Sequence, residues 1–133
     1  MAESALVVLV PEAEPLVGDF RARHDPSAAE GVPAHVTLLY PFAPPDRVDE
    51  AVLDVLRALF APVPPFRFAL TAARRLPGGV LYLAPEPADP FRQLTLAIWR
   101  RFPVTPPYGG RHPDIVPHLT VAQMADALAL DRV

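Results

Sequence analysis

Apolar and polar positions along the chain alternate between two periods, and each change of period predicts a new element. Residues 6–10, Leu-Val-Val-Leu-Val, form an unbroken run closed by Pro11, the pattern of a strand buried on both faces. Across residues 13–24 the apolar Leu16, Val17 and Phe20 recur at helical spacing, and Asp25-Pro26-Ser27 predicts a stop and a loop. Residues 35–39 read as a strand, ended by Pro41, Pro44 and Pro45. The clearest helix covers residues 46–60. There Val48, Val52, Val55, Leu56 and Leu59 line one face and Asp49, Glu50, Asp54 and Arg57 the other, with Asp46 as the predicted N-cap. Residues 66–70 and 80–83 predict an antiparallel ribbon through a Pro77-Gly78-Gly79 turn. A helix over 89–102, with Phe91, Leu94, Ile98 and Phe102 as its stripe, is followed by a loop over 104–114, a strand over 115–122 and a helix over 124–130. Helix, strand, helix and ribbon in residues 13–84, then helix, strand and the start of a helix in 89–133, make a weak internal repeat whose second copy lacks its ribbon.

Composition narrows the chemistry. The chain has 133 residues, the size of one domain, 1–133, and its 51% hydrophobic against 20% charged residues predict a packed core rather than disorder. The 19 prolines fall between the elements and act as boundary marks. With no cysteine, disulfides, thiolate zinc sites and a cysteine nucleophile are excluded. All 12 basic residues are arginine, which removes a Schiff-base or P-loop lysine. The net charge of -3 provides no overall basic field for long nucleic acid, so a phosphate ligand would be held locally by a few groups. Neither a secretory leader nor a run of about 20 apolar residues is present, and a cytoplasmic protein without membrane association is expected.

Two strand patterns then stand out: Pro33-Ala34-His35-Val36-Thr37-Leu38 and Val116-Pro117-His118-Leu119-Thr120-Val121. Residues i and i+2 of a strand face the same way, so each pattern presents an imidazole beside a hydroxyl and turns its apolar residues to the other face. One such pattern carries little, because satisfied core histidines and strand threonines are both common. Two copies in equivalent places of a repeat carry much more. One imidazole can take a proton from water while the other gives one to a leaving oxygen, and two hydroxyls can hold the non-bridging oxygens of a phosphate. Phosphodiester cleavage needs that set of groups.

On Gly31-Val32-Pro33-Ala34-His35-Val36-Thr37-Leu38-Leu39-Tyr40-Pro41-Phe42, Pro107-Tyr108-Gly109-Gly110 and Val116-Pro117-His118-Leu119-Thr120-Val121-Ala122, the chain resembles the 2H phosphoesterase superfamily. The likeness is to its bacterial branch of 2′-5′ RNA ligases and RNA 2′,3′-cyclic phosphodiesterases. The resemblance implies an α+β, bilobal, pseudo-twofold fold with two antiparallel sheets around a central cleft. It implies that His35 is the proton donor, that His118 is the proton acceptor, and that Thr37 and Thr120 bind phosphate, with no metal and no cofactor. The substrate would be an RNA 3′ end or a small cyclic nucleotide. Cyclic phosphodiester hydrolysis is the leading expectation, with 2′-5′ RNA ligation, or binding of an RNA end without turnover, as alternatives. Similar family members continue beyond the helix that follows the second motif, so the second lobe is expected to be incomplete by roughly 40 residues, judged from the first repeat. A monomer is expected, with self-association through an open sheet edge beside the second motif as the alternative.

Other residues have weaker claims. Tyr108 and Arg111 are candidate substrate contacts: Tyr108 by stacking on a base, with packing the safer reading, while Arg111 and His112 could each reach a phosphate or base and are equally at home in a solvated loop. His24 reads as a solvated or capping residue, Tyr40 by alternation as core-facing, and Trp99 with the phenylalanines as core. Arg74-Arg75 and Arg100-Arg101 read as exposed faces able to guide RNA weakly. Four histidines without a carboxylate at ligand spacing do not predict zinc.

Overall fold

A computed structural model of the chain describes residues 3–76, 79–110 and 115–123. The elements in order are β1 (Leu6–Leu9), α1 (Glu14–His24), α2 (Pro26–Ala29), β2 (His35–Leu39), α3 (Glu50–Phe60), β3 (Ala69–Leu76), β4 (Val80–Glu86), α4 (Asp89–Arg101) and β5 (Leu119–Gln123). The strands form one five-stranded sheet in the order β1-β2-β5-β4-β3. Pairing is antiparallel between β2 and β5, β5 and β4, and β4 and β3. Beside β2, the Val10 N–H donates to the Ala34 carbonyl and the Phe42 N–H to that of Ser4, so β1 also runs antiparallel. The class is α+β, as expected, and the described residues carry one sheet.

The chain divides into two compact units. One draws on Met1–Val7, Thr37–Phe68 and Pro87–Val116. Its core is the apolar stripe of α4, where Phe91 and Ile98 are buried one turn either side of Thr95. The Thr95 hydroxyl donates to the Leu38 carbonyl at 2.6 Å, which pins α4 to the end of β2. Phe66 and Phe68 meet Phe91 edge-to-face at 5.2 and 4.9 Å. Burying a side chain such as Ile98 contributes about 1.5–3 kcal/mol. Helix α3 begins where the Asp49 carboxylate accepts the Val52 N–H at 3.0 Å, and it buries Leu56.

The second unit draws on Val8–Val36, Ala69–Glu86 and Pro117–Val133. Here α1 packs on β5, with Val17, Val36, Leu81, Leu119 and Val121 buried. Two charged side chains share that interior, Arg21 at 2% and Asp25 at 3% exposure. Their ion pair (3.1 Å) is extended by hydrogen bonds from Arg21 to the Ser27 hydroxyl and the Val32 carbonyl, and from the Ser27 N–H and hydroxyl to Asp25. Glu14 meets Arg21 at 3.4 Å and accepts the Ala34 N–H at 2.6 Å. The segment entering β2 is thus tied to α1 at Val32 and Ala34.

Several expectations are corrected. β1 is half-buried rather than buried on both faces, with Leu9 exposed. Leu16 is 83% exposed, and the inward face of α1 is instead Val17 and Arg21, because paired polar groups satisfy the arginine. Asp25-Pro26-Ser27 opens the short helix α2, not a loop, with Asp25 as its cap. Asp46 lies in a 3-10 turn, Pro45–Arg47, and the cap of α3 is Asp49. The ribbon is β3 and β4; β3 starts later than its apolar run, β4 starts where expected, and both run longer. Trp99 is 37% exposed, and Tyr40 is exposed with its hydroxyl donating to Glu3. Strand β5 lies between β2 and β4, so no open edge stands beside it; the edges of the described sheet are β1 and β3. The helix expected over 124–130 lies outside the described residues.

Candidate active site

The first motif lies on β2 and the second straddles the start of its neighbour β5, which begins at Leu119 rather than at the expected residue 115. Along β2, His35 and Thr37 are half-buried while Val36 and Leu38 are buried. At the second motif His118, immediately before β5, and Thr120 are half-buried while Leu119 and Val121 are buried. The same alternation therefore anchors each motif by its apolar residues and leaves imidazole and hydroxyl accessible.

Val36 and Leu119, each 0% exposed, are direct antiparallel partners within the second unit. Continued by one residue, that register sets Thr120 opposite His35, so a hydroxyl of one motif faces the imidazole of the other across adjacent strands. Thr37 follows two residues along β2.

The His35 ring has a defined orientation. Its Nδ1 lies 2.7 Å from the Pro33 carbonyl, which can only accept, so Nδ1 carries the hydrogen and Nε2 is the atom that gains or loses a proton. Because Arg21 and Glu14 hold the backbone at Val32 and Ala34, the carbonyl that fixes the ring is itself held. His118 is ordered differently: the buried Tyr82 ring of β4 stands edge-on to it at 5.5 Å between centroids. Tyr82 is the direct partner of Thr120 in the β4–β5 register, which makes His118 its diagonal neighbour.

Neither Tyr82 nor the Pro33 carbonyl was visible as part of a site in the sequence. Tyr82 looks like any strand aromatic until β4 is known to pair with β5.

Of the weaker candidates, Tyr108 sits in the turn Pro107–Gly110 of the first unit, with its N–H donating to the Tyr40 carbonyl at 2.6 Å. Its φ of 53° is in the left-handed region that side chains rarely adopt, and the two glycines after it continue there without that cost. Burial pushes the Tyr108 phenol above its ordinary value, because the phenolate would lose solvation. His24 packs on Phe20 at 4.4 Å. Arg111 and His112 lie outside the described residues. Arg74, Arg75, Arg100 and Arg101 are exposed, as expected. Among the described residues no group of three histidines or carboxylates is placed to hold a metal ion, and no helix is long and apolar enough to cross a membrane.

An α+β chain whose adjacent strands β2 and β5 each present a half-buried hydroxyl, with a half-buried imidazole on β2 and another immediately before β5, has the outline of a phosphoester-handling protein. The family model described as the 2′-5′ RNA ligase superfamily matches residues 9–133, and the chain belongs to that superfamily, the 2H phosphoesterases. No curated protein matches the chain. Membership supports a phosphoesterase- or ligase-type activity in general.

Proposed function

We propose that the chain is a metal-independent phosphodiesterase that opens a 2′,3′-cyclic phosphate at an RNA end or on a nucleotide. The observation that supports this most is the pairing of Val36 with Leu119, which brings both motifs to neighbouring strands. In this reading His118 accepts a proton from water as the water oxygen bonds to phosphorus. The bond from phosphorus to one ribose oxygen breaks, and His35 Nε2 gives that oxygen its proton. The product is a phosphomonoester and a free hydroxyl, and solvent restores both imidazoles. Thr37 and Thr120 donate hydrogen bonds to the non-bridging oxygens, where charge builds up in the transition state. A bilobal, pseudo-twofold arrangement and a monomeric cytoplasmic protein belong to the same reading.

The superfamily's description favours a second reading, reversible 2′-5′ ligation, in which an RNA hydroxyl replaces water as the attacking group. Incubating the protein with an oligonucleotide ending in a 2′,3′-cyclic phosphate, in EDTA, with and without a second RNA bearing a free 5′-hydroxyl end, separates the two by product length. Ring opening that is lost in both His35→Ala and His118→Ala is expected. Full activity in either variant would sink the mechanism.

A further inference from the structure

The sheet register leads from the paired motifs to a residue outside them. Within the second unit, His35 stands opposite Thr120 by continuation of the Val36–Leu119 pair, Thr120 pairs with Tyr82, and Tyr82 pairs with Arg74. Direct cross-strand partners share a face. His35, Thr120, Tyr82 and Arg74 therefore form one row across β2, β5, β4 and β3. Arg75, the next residue, pairs with Leu81 on the opposite face. Arg74 is exposed, and it is in none of the ion pairs of the described residues, which engage Arg21 and Arg57. Tyr82 between them is buried and brings no competing charge.

We propose that Arg74 is a second phosphate contact, binding the internucleotide phosphate next to the one at the motifs, so that the substrate is an RNA oligonucleotide end rather than a free cyclic mononucleotide. This deepens the reading above and rests on it for the position of the first phosphate. Adjacent strands lie about 4.8 Å apart, so the backbone at Arg74 is about 10 Å from that at Thr120. An arginine side chain is long enough to reach back over part of that distance, leaving a gap that one nucleotide of an extended strand spans. A guanidinium suits the task because its planar fork can give two hydrogen bonds to one phosphate. With a net charge of -3 on the chain, such a contact has to be local.

The test compares two ligands by titration: an RNA tetranucleotide with a terminal phosphate and the corresponding nucleoside monophosphate. The wild type is expected to bind the tetranucleotide more tightly. Arg74→Ala is expected to cut that preference about tenfold and to lower the slope of log affinity against log salt by about 0.7, the loss of one single-strand phosphate contact. Arg74→Lys should recover part of the preference as a point charge. Arg75→Ala should leave the preference in place. Equal losses on both ligands in Arg74→Ala, an equal effect in Arg75→Ala, or a wild type without preference would each overturn the proposal. A wild type that prefers the tetranucleotide yet hydrolyses no cyclic phosphate would sink the catalytic reading alone.

Discussion

The ring of Tyr82 meets the imidazole of His118 edge-on at 5.5 Å, and Tyr82 reaches that place because it pairs with Thr120 across β4 and β5. An aromatic contact of this kind is worth about 0.5–1.5 kcal/mol beyond the area it buries, or roughly 2- to 10-fold in a rate that depends on it. Tyr82→Phe keeps the ring and should keep kcat. Tyr82→Leu should lower kcat by up to about tenfold with KM little changed. Steady-state kcat and KM of both variants decide it; identical behaviour of Phe and Leu would remove Tyr82 from the positioning of His118.

The acid and base roles proposed for His35 and His118 are separable through the leaving group. A phosphodiester whose leaving group is p-nitrophenolate needs no proton on departure, so His35→Ala should retain much of its turnover on that ester while losing about 10²–10⁴-fold on a cyclic ribose phosphate. His118→Ala should be impaired on both. The opposite pattern in steady-state rates would exchange the two assignments.

Arg21 and Asp25 form an ion pair shielded from water, so removing one partner strands the other. Arg21→Met or Asp25→Leu is expected to cost about 3–5 kcal/mol in urea unfolding, and the double variant less than the sum. Simple additivity would show that the pair is not coupled. Because Arg21 and Glu14 also hold Val32 and Ala34, Glu14→Ala, which removes the acceptor of the Ala34 N–H, should lower steady-state kcat on a cyclic phosphate through a less fixed His35.

Tyr108 supplies a prediction at alkaline pH. Burial raises its phenol above the ordinary value of 10.0, so the folded chain keeps this proton where the unfolded chain has lost it. The stability linked to it is complete below the unfolded value and falls as pH rises through the folded one. Thermal unfolding between pH 9 and 12 should show a steeper decline in wild type than in Tyr108→Phe, and parallel curves would refute the assignment.

The residues that alternate strictly were legible from the chain alone. His35 and Thr37, and His118 and Thr120, sit at the accessible positions that period two assigns them, since the apolar residues between them have only the core to go to. Contacts set by pairing were not legible, because Val36 meets Leu119, Tyr82 meets Thr120 and Arg74 meets Tyr82 only once the register is fixed. Hydrophobicity also misled in α1, where Leu16 is exposed and Arg21 buried: an arginine whose hydrogen bonds are met on several sides can occupy a core position that its charge alone would forbid. At α3 both Asp46 and Asp49 are suitable caps, and only the path of the chain selects the second.

Val36 and Leu119 are neighbours in space but far apart along the sequence, and this bears on the order of events during synthesis. Closing so long a loop carries an entropy cost that only many simultaneous contacts can offset. The ribbon of β3 and β4 can form early from neighbouring residues, whereas the pairing of β2 with β5 must wait for β5 to leave the ribosome. The two motifs therefore reach neighbouring strands only once β5 has been made, so that any turnover waits for that pairing.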